Sequence, residues 1–231
     1  MEIFVGTSGW AYSWNEGRSL EWYIKNSKLN AIELNMSFYR FPFQNVIKGW
    51  AKIGKNIRWS IKVNKIITHI KKFEEDSFED WKRFEEIFSP LKENIDFFLF
   101  QLPPSLSGNS IKKIEKFAKR LKLKERFAIE FRNNELFNKK YIEICKKNKM
   151  TLVSVDAPHL PREIYNTNGI VYLRMHGRES WYRYDYSEDE LKEIVEKILK
   201  KKPKKVYVFF NNNHAMLKNA REMKKILEIN I

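Results

Sequence analysis

Eight short apolar runs punctuate the chain, and most of them alternate apolar and polar residues toward their ends. Val171–His176 is the clearest. Val171, Leu173 and Met175 fall on one face of an extended segment, and Tyr172, Arg174 and His176 on the other. The runs predict strands at 2–6, 30–35, 57–64, 95–101, 126–131, 150–155, 170–176 and 205–211. Apolar residues recur at helical spacing between them. Examples are Trp81, Phe84 and Phe88, then Ile111, Ile114 and Ala118, then Leu191, Ile194, Val195 and Ile198. One connection is different. Residues 157–169 hold Pro158, Pro161 and Gly169, which leaves room for little more than a turn of helix after strand six.

Eight strands alternating with helices imply parallel pairing through right-handed crossovers. The expected fold is α/β, a (β/α)8 TIM-type barrel formed by one domain over 1–231, with the helix after strand six short or missing. An open doubly wound sheet is the alternative. No Gly-x-Gly-x-x-Gly joins a strand to a helix, so its dinucleotide-binding version lacks support.

Composition narrows the class. Hydrophobic residues make up 43% of the 231, enough for a large core. No run approaches the roughly 18 apolar residues of a membrane span. The chain starts at once with a strand pattern, so no signal peptide is expected. A lone cysteine, Cys145, rules out an internal disulfide and fits the buried face of a helix in a reducing, cytoplasmic setting. Net charge is +15. That excess implies attraction to polyanions, with weak non-specific nucleic-acid binding at low salt, or else a Lys/Glu-rich surface of the heat-adapted kind. The tract 200–205 joins the penultimate helix to the last strand, on the face opposite a barrel's active site, and reads as a solvated turn.

A barrel keeps its chemistry at the carboxyl ends of the strands. Alternation places Glu33 and Asn35, Lys62 and Asn64, Gln101, Glu130 and Arg132, Ser154 and Asp156, Arg174 and His176, and Asn211 inward. Charges buried there must pair with each other or with a ligand. The first reading is a salt-bridge network that fills the barrel. The second is a site: Glu33 and Glu130 as an acid–base pair, with Lys62, Arg132 and Arg174 orienting an anion and His176 and Asp156 moving protons. Lys62 also qualifies as an imine-forming lysine. His69, His159, His176 and His214 all fall near strand ends. With Glu130 and Asp156, His159 and His176 make a candidate ligand set for a single divalent metal, Zn or Mn.

Two loops suit anion capture. Gly6–Trp10, with Ser8 and two glycines, can aim backbone N–H groups at an oxyanion, and Asn211 and Asn212 lead into the last helix. Arg174 and Arg178 could clamp the same group. Aromatics at the expected rim, Trp10 and Tyr39 among them, could stack on bases or sugars. Residues 177–187 have no apolar period and read as a mobile lid.

The segments GTSGWAY at 6–12, ELNMSFY at 33–39, Thr68-His69, LPP at 102–104, EFR at 130–132, YLRMHG at 172–177 and FNN at 210–212 occur in that order. The series resembles the YecE-like domain-of-unknown-function family along almost the whole chain. The resemblance implies a TIM-type barrel and no established activity. It also brings similarity to the endonuclease IV type of metal-dependent barrel, although four histidines are too few for that enzyme's full cluster. The expectation is an enzyme acting on a phosphate-containing ligand, with nucleic acid cleaved at a phosphodiester as one form of it. The alternatives are a non-catalytic binder of nucleic acid or a phosphometabolite, and a sugar-phosphate isomerase or aldolase-like enzyme.

Overall fold

The computed structural model describes residues 1–230. Eight parallel strands close into a barrel in sequence order: β1 (Glu2–Ser8), β2 (Ala31–Leu34), β3 (Arg58–Lys62), β4 (Ile95–Gln101), β5 (Phe127–Glu130), β6 (Thr151–Asp156), β7 (Ile170–Met175) and β8 (Lys205–Phe210). Each lies within a residue or two of its expected position. β1 and β8 seal the barrel in register from Glu2 opposite Lys205 to Thr7 opposite Phe210. On the other side of β1, Gly6 permits close approach to β2, because a Cβ there would overlap the Ala31 carbonyl.

Helices α1 (Leu20–Asn26), α2 (Met36–Tyr39), α3 (Gln44–Ile53), α4 (Ser77–Ile87), α5 (Ile111–Leu121), α6 (Lys139–Lys147), α7 (Glu188–Lys200) and α8 (Met216–Ile229) fill the connections. None is long and apolar enough to cross a membrane. β6 runs to β7 without an α-helix, as the prolines required. The short α2 has no counterpart in the sequence reading; its four residues are too few to show a helical period. Ser187 and Glu190 form a capping box that starts α7. Cys145 is buried on α6.

Two apolar layers follow from strand alternation. Outward residues such as Val5, Ile32, Ile61, Phe98, Phe100, Leu173 and Val208 pack against the helices. Inward residues Ala31, Phe97, Leu99, Ala128, Val153, Val155, Tyr172, Tyr207 and Phe209 form a separate cluster inside the barrel. The interior is graded along its axis. Phe4 stacks on Tyr207 at 4.6 Å, Tyr207 meets Phe97 edge-on at 4.7 Å, and Phe97 stacks on Tyr172 at 5.1 Å. Above that aromatic plug, toward the carboxyl ends, the inward residues become ionic.

Candidate active site

Arg174 is the centre of the ionic layer and is wholly buried. Its Nε and Nη2 donate to Glu33 Oε2 and Oε1 at 2.9 and 2.6 Å, a bidentate fork. Its Nη1 donates to Glu130 Oε2 at 2.6 Å. Two hydroxyls complete Glu33: Ser8 Oγ donates to Oε1 at 2.6 Å and Tyr172 OH to Oε2 at 2.7 Å. Ser60 Oγ lies 2.8 Å from the Tyr172 oxygen and completes the chain. Glu130 is closed on its other oxygen by Arg132 Nε. Burial pushes Glu130 upward, but Arg132, Arg174 and Lys62 together outweigh it and hold the group at about 2. Four donors on Glu33 and two arginines on Glu130 make these carboxylates anchors. Every oxygen of the expected acid–base pair already accepts from a donor, which argues against proton exchange there.

The groups with free chemistry stand one step nearer the mouth. Lys62 is 9% exposed, and its Nζ lies 4.2 Å from the centre of the Phe38 ring. Burial, then the charge of Arg174, lowers its proton affinity to about 7, against the partial support of Glu130 and Glu33. His176 is fully buried at the end of β7. Arg132 Nη2 lies 3.3 Å from His176 Nε2. Arginine only donates, so Nε2 accepts and the ring proton resides on Nδ1. That buried Nδ1 has no partner. Burial and the neighbouring Arg174, Arg132 and Lys62 hold His176 well below its ordinary value, and burial with Lys62 lowers His69 to about 4. Both imidazoles are therefore neutral at pH 7. His69 sits on a wide helical turn, Ile66–Ile70, with Nδ1 2.8 Å from Thr68 Oγ1 and its ring edge-on to Phe38 at 4.9 Å.

The segment between β7 and α7 folds over this mouth. Trp181 lies 5.2 Å from the His176 ring, and the Arg132 guanidinium sits 4.6 Å over the indole. Tyr182 N donates to the His176 carbonyl at 2.8 Å. Gly177, at φ 113°, opens the turn; a side chain there would strike Tyr184. Asn212 Nδ2 donates to Tyr184 O and to Asn219 Oδ1, which ties the segment to α8. Asn212 thus braces this segment against α8. Asn211 lies at the rim, its N–H on Met175 O. Asn35 ends β2 with a buried, unpartnered Oδ1. Tyr39 is 69% exposed at the outer edge of the rim.

Several expectations fail on geometry. β6 turns Val153, Val155 and Ala157 inward, so Ser154 and Asp156 face the helices. Asp156 accepts from Tyr186 OH at 2.9 Å and pairs with Arg178 at 3.4 Å. Arg178 also reaches Glu190 and Glu193, and so cannot share a clamp with Arg174 inside the barrel. Trp10 packs edge-on to Trp50 at 5.0 Å and Trp59 at 6.0 Å, beneath α3. In the Gly6–Trp10 loop Thr7 N–H donates to Tyr23 OH, Gly9 N–H to Thr7 O and Ser8 Oγ to Glu33, so these three donors are already committed. Among the described residues no three His, Cys, Asp or Glu side chains converge as metal ligands. Glu130 is occupied by arginines, Asp156 faces outward, and His159 lies on an exposed turn. The proposed metal set does not fit. Tyr172 and Ser60 join the network beyond the expected site residues, and the signal for Tyr172 is that it shares the alternating face of Arg174.

Fold and site together define a (β/α)8 protein with a buried polar network at the carboxyl mouth of its barrel. The chain belongs to the DUF72 family, described as proteins of unknown function, whose model matches residues 4–231. A DUF72 family protein from Thermotoga maritima MSB8 is 27% identical, with 99% of this chain and 100% of that chain covered and a TM-score of 0.86. Another from Enterococcus faecalis V583 is 26% identical, covers 98% and 95%, and has a TM-score of 0.84. A D-psicose 3-epimerase from Clostridium cellulolyticum H10 shares the barrel at 11% identity over 99% and 98% of the chains, TM-score 0.53. No curated protein matches the chain.

Proposed function

We propose that this chain is an enzyme acting on a small phosphate-bearing ligand at the carboxyl mouth of its barrel, with Lys62 exchanging a proton with it. The Lys62 amine carries this reading. It is buried, makes no hydrogen bond or ion pair with the described residues, and is held at about 7 beside a saturated ionic layer. A base that titrates near the working pH is where acid–base catalysis is most effective. Arg132 supplies a permanent positive charge at the same mouth, and His176 Nδ1 offers an unclaimed donor. Trp181, laid over His176, supports water exclusion at this mouth. Its cover also favours a small ligand over a nucleic-acid strand. Phosphodiester cleavage at a metal draws no support from the donor set.

The free amine favours one specific variant: Lys62 attacks a ligand carbonyl and forms an imine, with loss of water. The two chemistries separate in experiment. Sulfate, which keeps its charge across neutrality, stands in for the phosphate. Its affinity, read by calorimetry, is expected to fall about tenfold as pH rises through 7 and Lys62 loses its charge. Lys62→Met should abolish that dependence. Binding that ignores both pH and the substitution would overturn the assignment of Lys62. Borohydride reduction in the presence of dihydroxyacetone phosphate should leave a mass adduct on Lys62 if the imine forms; an unmodified lysine eliminates that variant. Saturable binding of sugar phosphates with no turnover of any would reduce the protein to a binder.

A further inference from the structure

We propose that the opposite, N-terminal mouth of the barrel is a second anion site, which takes a small ligand carrying two or more linked phosphates. The strand starts open there onto a hollow of about 820 Å3, within the roughly 300–1,000 Å3 usual for small-ligand sites. Ile95, Phe97, Ile170 and Tyr207 give it an apolar floor. Seven Lys and Arg side chains line it against three acidic ones.

Pairing divides those cations. Arg58 is committed to Asp96, and Lys205 to Glu2 at 3.1 Å. Arg126, Lys149 and Lys204 have no ion pair among the described residues. Arg126 gives a second, independent pointer. Its Nε is buried without a hydrogen-bond partner, and its guanidinium rests 5.6 Å from the Phe98 ring centre. Arg126 lines the hollow, and the terminal N–H groups of a guanidinium held against a ring match a phosphate edge. The three free cations come from three separate chain entries, before β5, β6 and β8. Charge spread this way suits several phosphates more than one. The concave wall of turns fits a compact ligand, whereas a nucleic-acid strand needs a groove that continues past the site. The aromatic plug from Phe4 to Tyr172 separates the hollow from Lys62, so its occupant meets no catalytic group there. This is a binding site, independent of the chemistry proposed at the other mouth.

Calorimetry of the full chain with inorganic triphosphate at low salt tests it. Lys149 and Lys204 are exposed, so the Lys149→Ala, Lys204→Ala double variant keeps the fold. It should lose about tenfold in affinity, and more once Arg126→Ala is added. A double variant of equal charge on α3, Lys48→Ala with Lys52→Ala, should change affinity by less than about twofold. The Lys149→Ala, Lys204→Ala variant should keep the Lys62-dependent pH profile of sulfate binding, which separates this site from the other mouth. Equal losses in the hollow and α3 variants would mean bulk charge alone and sink the proposal, as would wild-type binding by the hollow variant. A twenty-nucleotide single strand that binds more tightly than triphosphate and depends on the same lysines would replace the small-ligand assignment.

Discussion

The two ends of this barrel use the same residue types and obtain opposite results. At the carboxyl end, Arg174 and both of its carboxylate partners are 0% exposed, and every carboxylate oxygen has a donor. At the other end, Arg58 and Asp96 form a similar fork, but their side chains are 33% and 16% exposed. Tyrosine repeats the contrast. Tyr172 OH donates to buried Glu33, and Tyr207 OH donates to Asp96 at the rim of the hollow. Burial decides what a pair can do. Out of water, an ion pair is costly to assemble but very costly to break, so it fixes geometry and shifts its neighbours' proton affinities. In contact with water, the same pair is screened and worth little.

The largest expected effect breaks the contrast directly. Arg174→Met strands two buried carboxylates and should destabilise the fold by about 3–5 kcal/mol. Arg58→Met should cost about 1 kcal/mol or less. Urea denaturation of both variants checks this, and similar losses would erase the distinction between the ends. The next effect is a pH dependence. Folded Lys62 titrates near 7, and an unfolded lysine near 10.5. Between those values the unfolded chain holds the extra proton, so wild-type stability rises with pH across the window. Lys62→Met lacks that term. Its stability advantage over wild type should be greatest below pH 7 and shrink by a few kcal/mol toward pH 10.5, at about 1.4 kcal/mol per pH unit. Melting curves of the two proteins across this range provide the test; parallel curves would place Lys62 at its ordinary value.

The tyrosines sharpen the comparison further. Tyr172→Phe removes a buried donor from Glu33 and should cost about 1–3 kcal/mol. Tyr207→Phe leaves Asp96 within reach of Arg58 and water, and should cost about 1 kcal/mol or less. The smallest effect is ionic: 1 M salt, with its roughly 3 Å Debye length, should weaken the Arg58–Asp96 contribution and leave that of Arg174 unchanged. A double-mutant cycle at each pair, run at low and high salt, reads this out.

Much of the site was legible because period-two alternation is strict where one strand face is charged. In β7, Tyr172, Arg174 and His176 could only share a face, and the same holds for Glu33 on β2, Lys62 on β3 and Glu130 on β5. β6 misled for the reason a buried strand does. Thr151–Asp156 places apolar residues on both parities, because both faces are covered, so its pattern does not reveal which side turns inward. Trp10 misled differently. Its position next to a barrel strand end suggested the mouth, but Trp50 and Trp59 offered its indole a larger apolar contact under α3.

The sequence alone determined the number of strands, their alternation with helices, the missing helix after β6, and which residues of β2, β3, β5 and β7 share a charged face. Each of these is set by local periodicity, proline placement or connection length. The tertiary structure alone decided who is paired with whom. It turned Glu33 and Glu130 into anchors, sent Asp156 outward to Arg178, laid Trp181 over His176, and left the Lys62 amine and the Arg126 Nε without partners. Pairing depends on distances between strands far apart in sequence and on how completely water is shut out, and neither quantity is written in the order of residues along one strand.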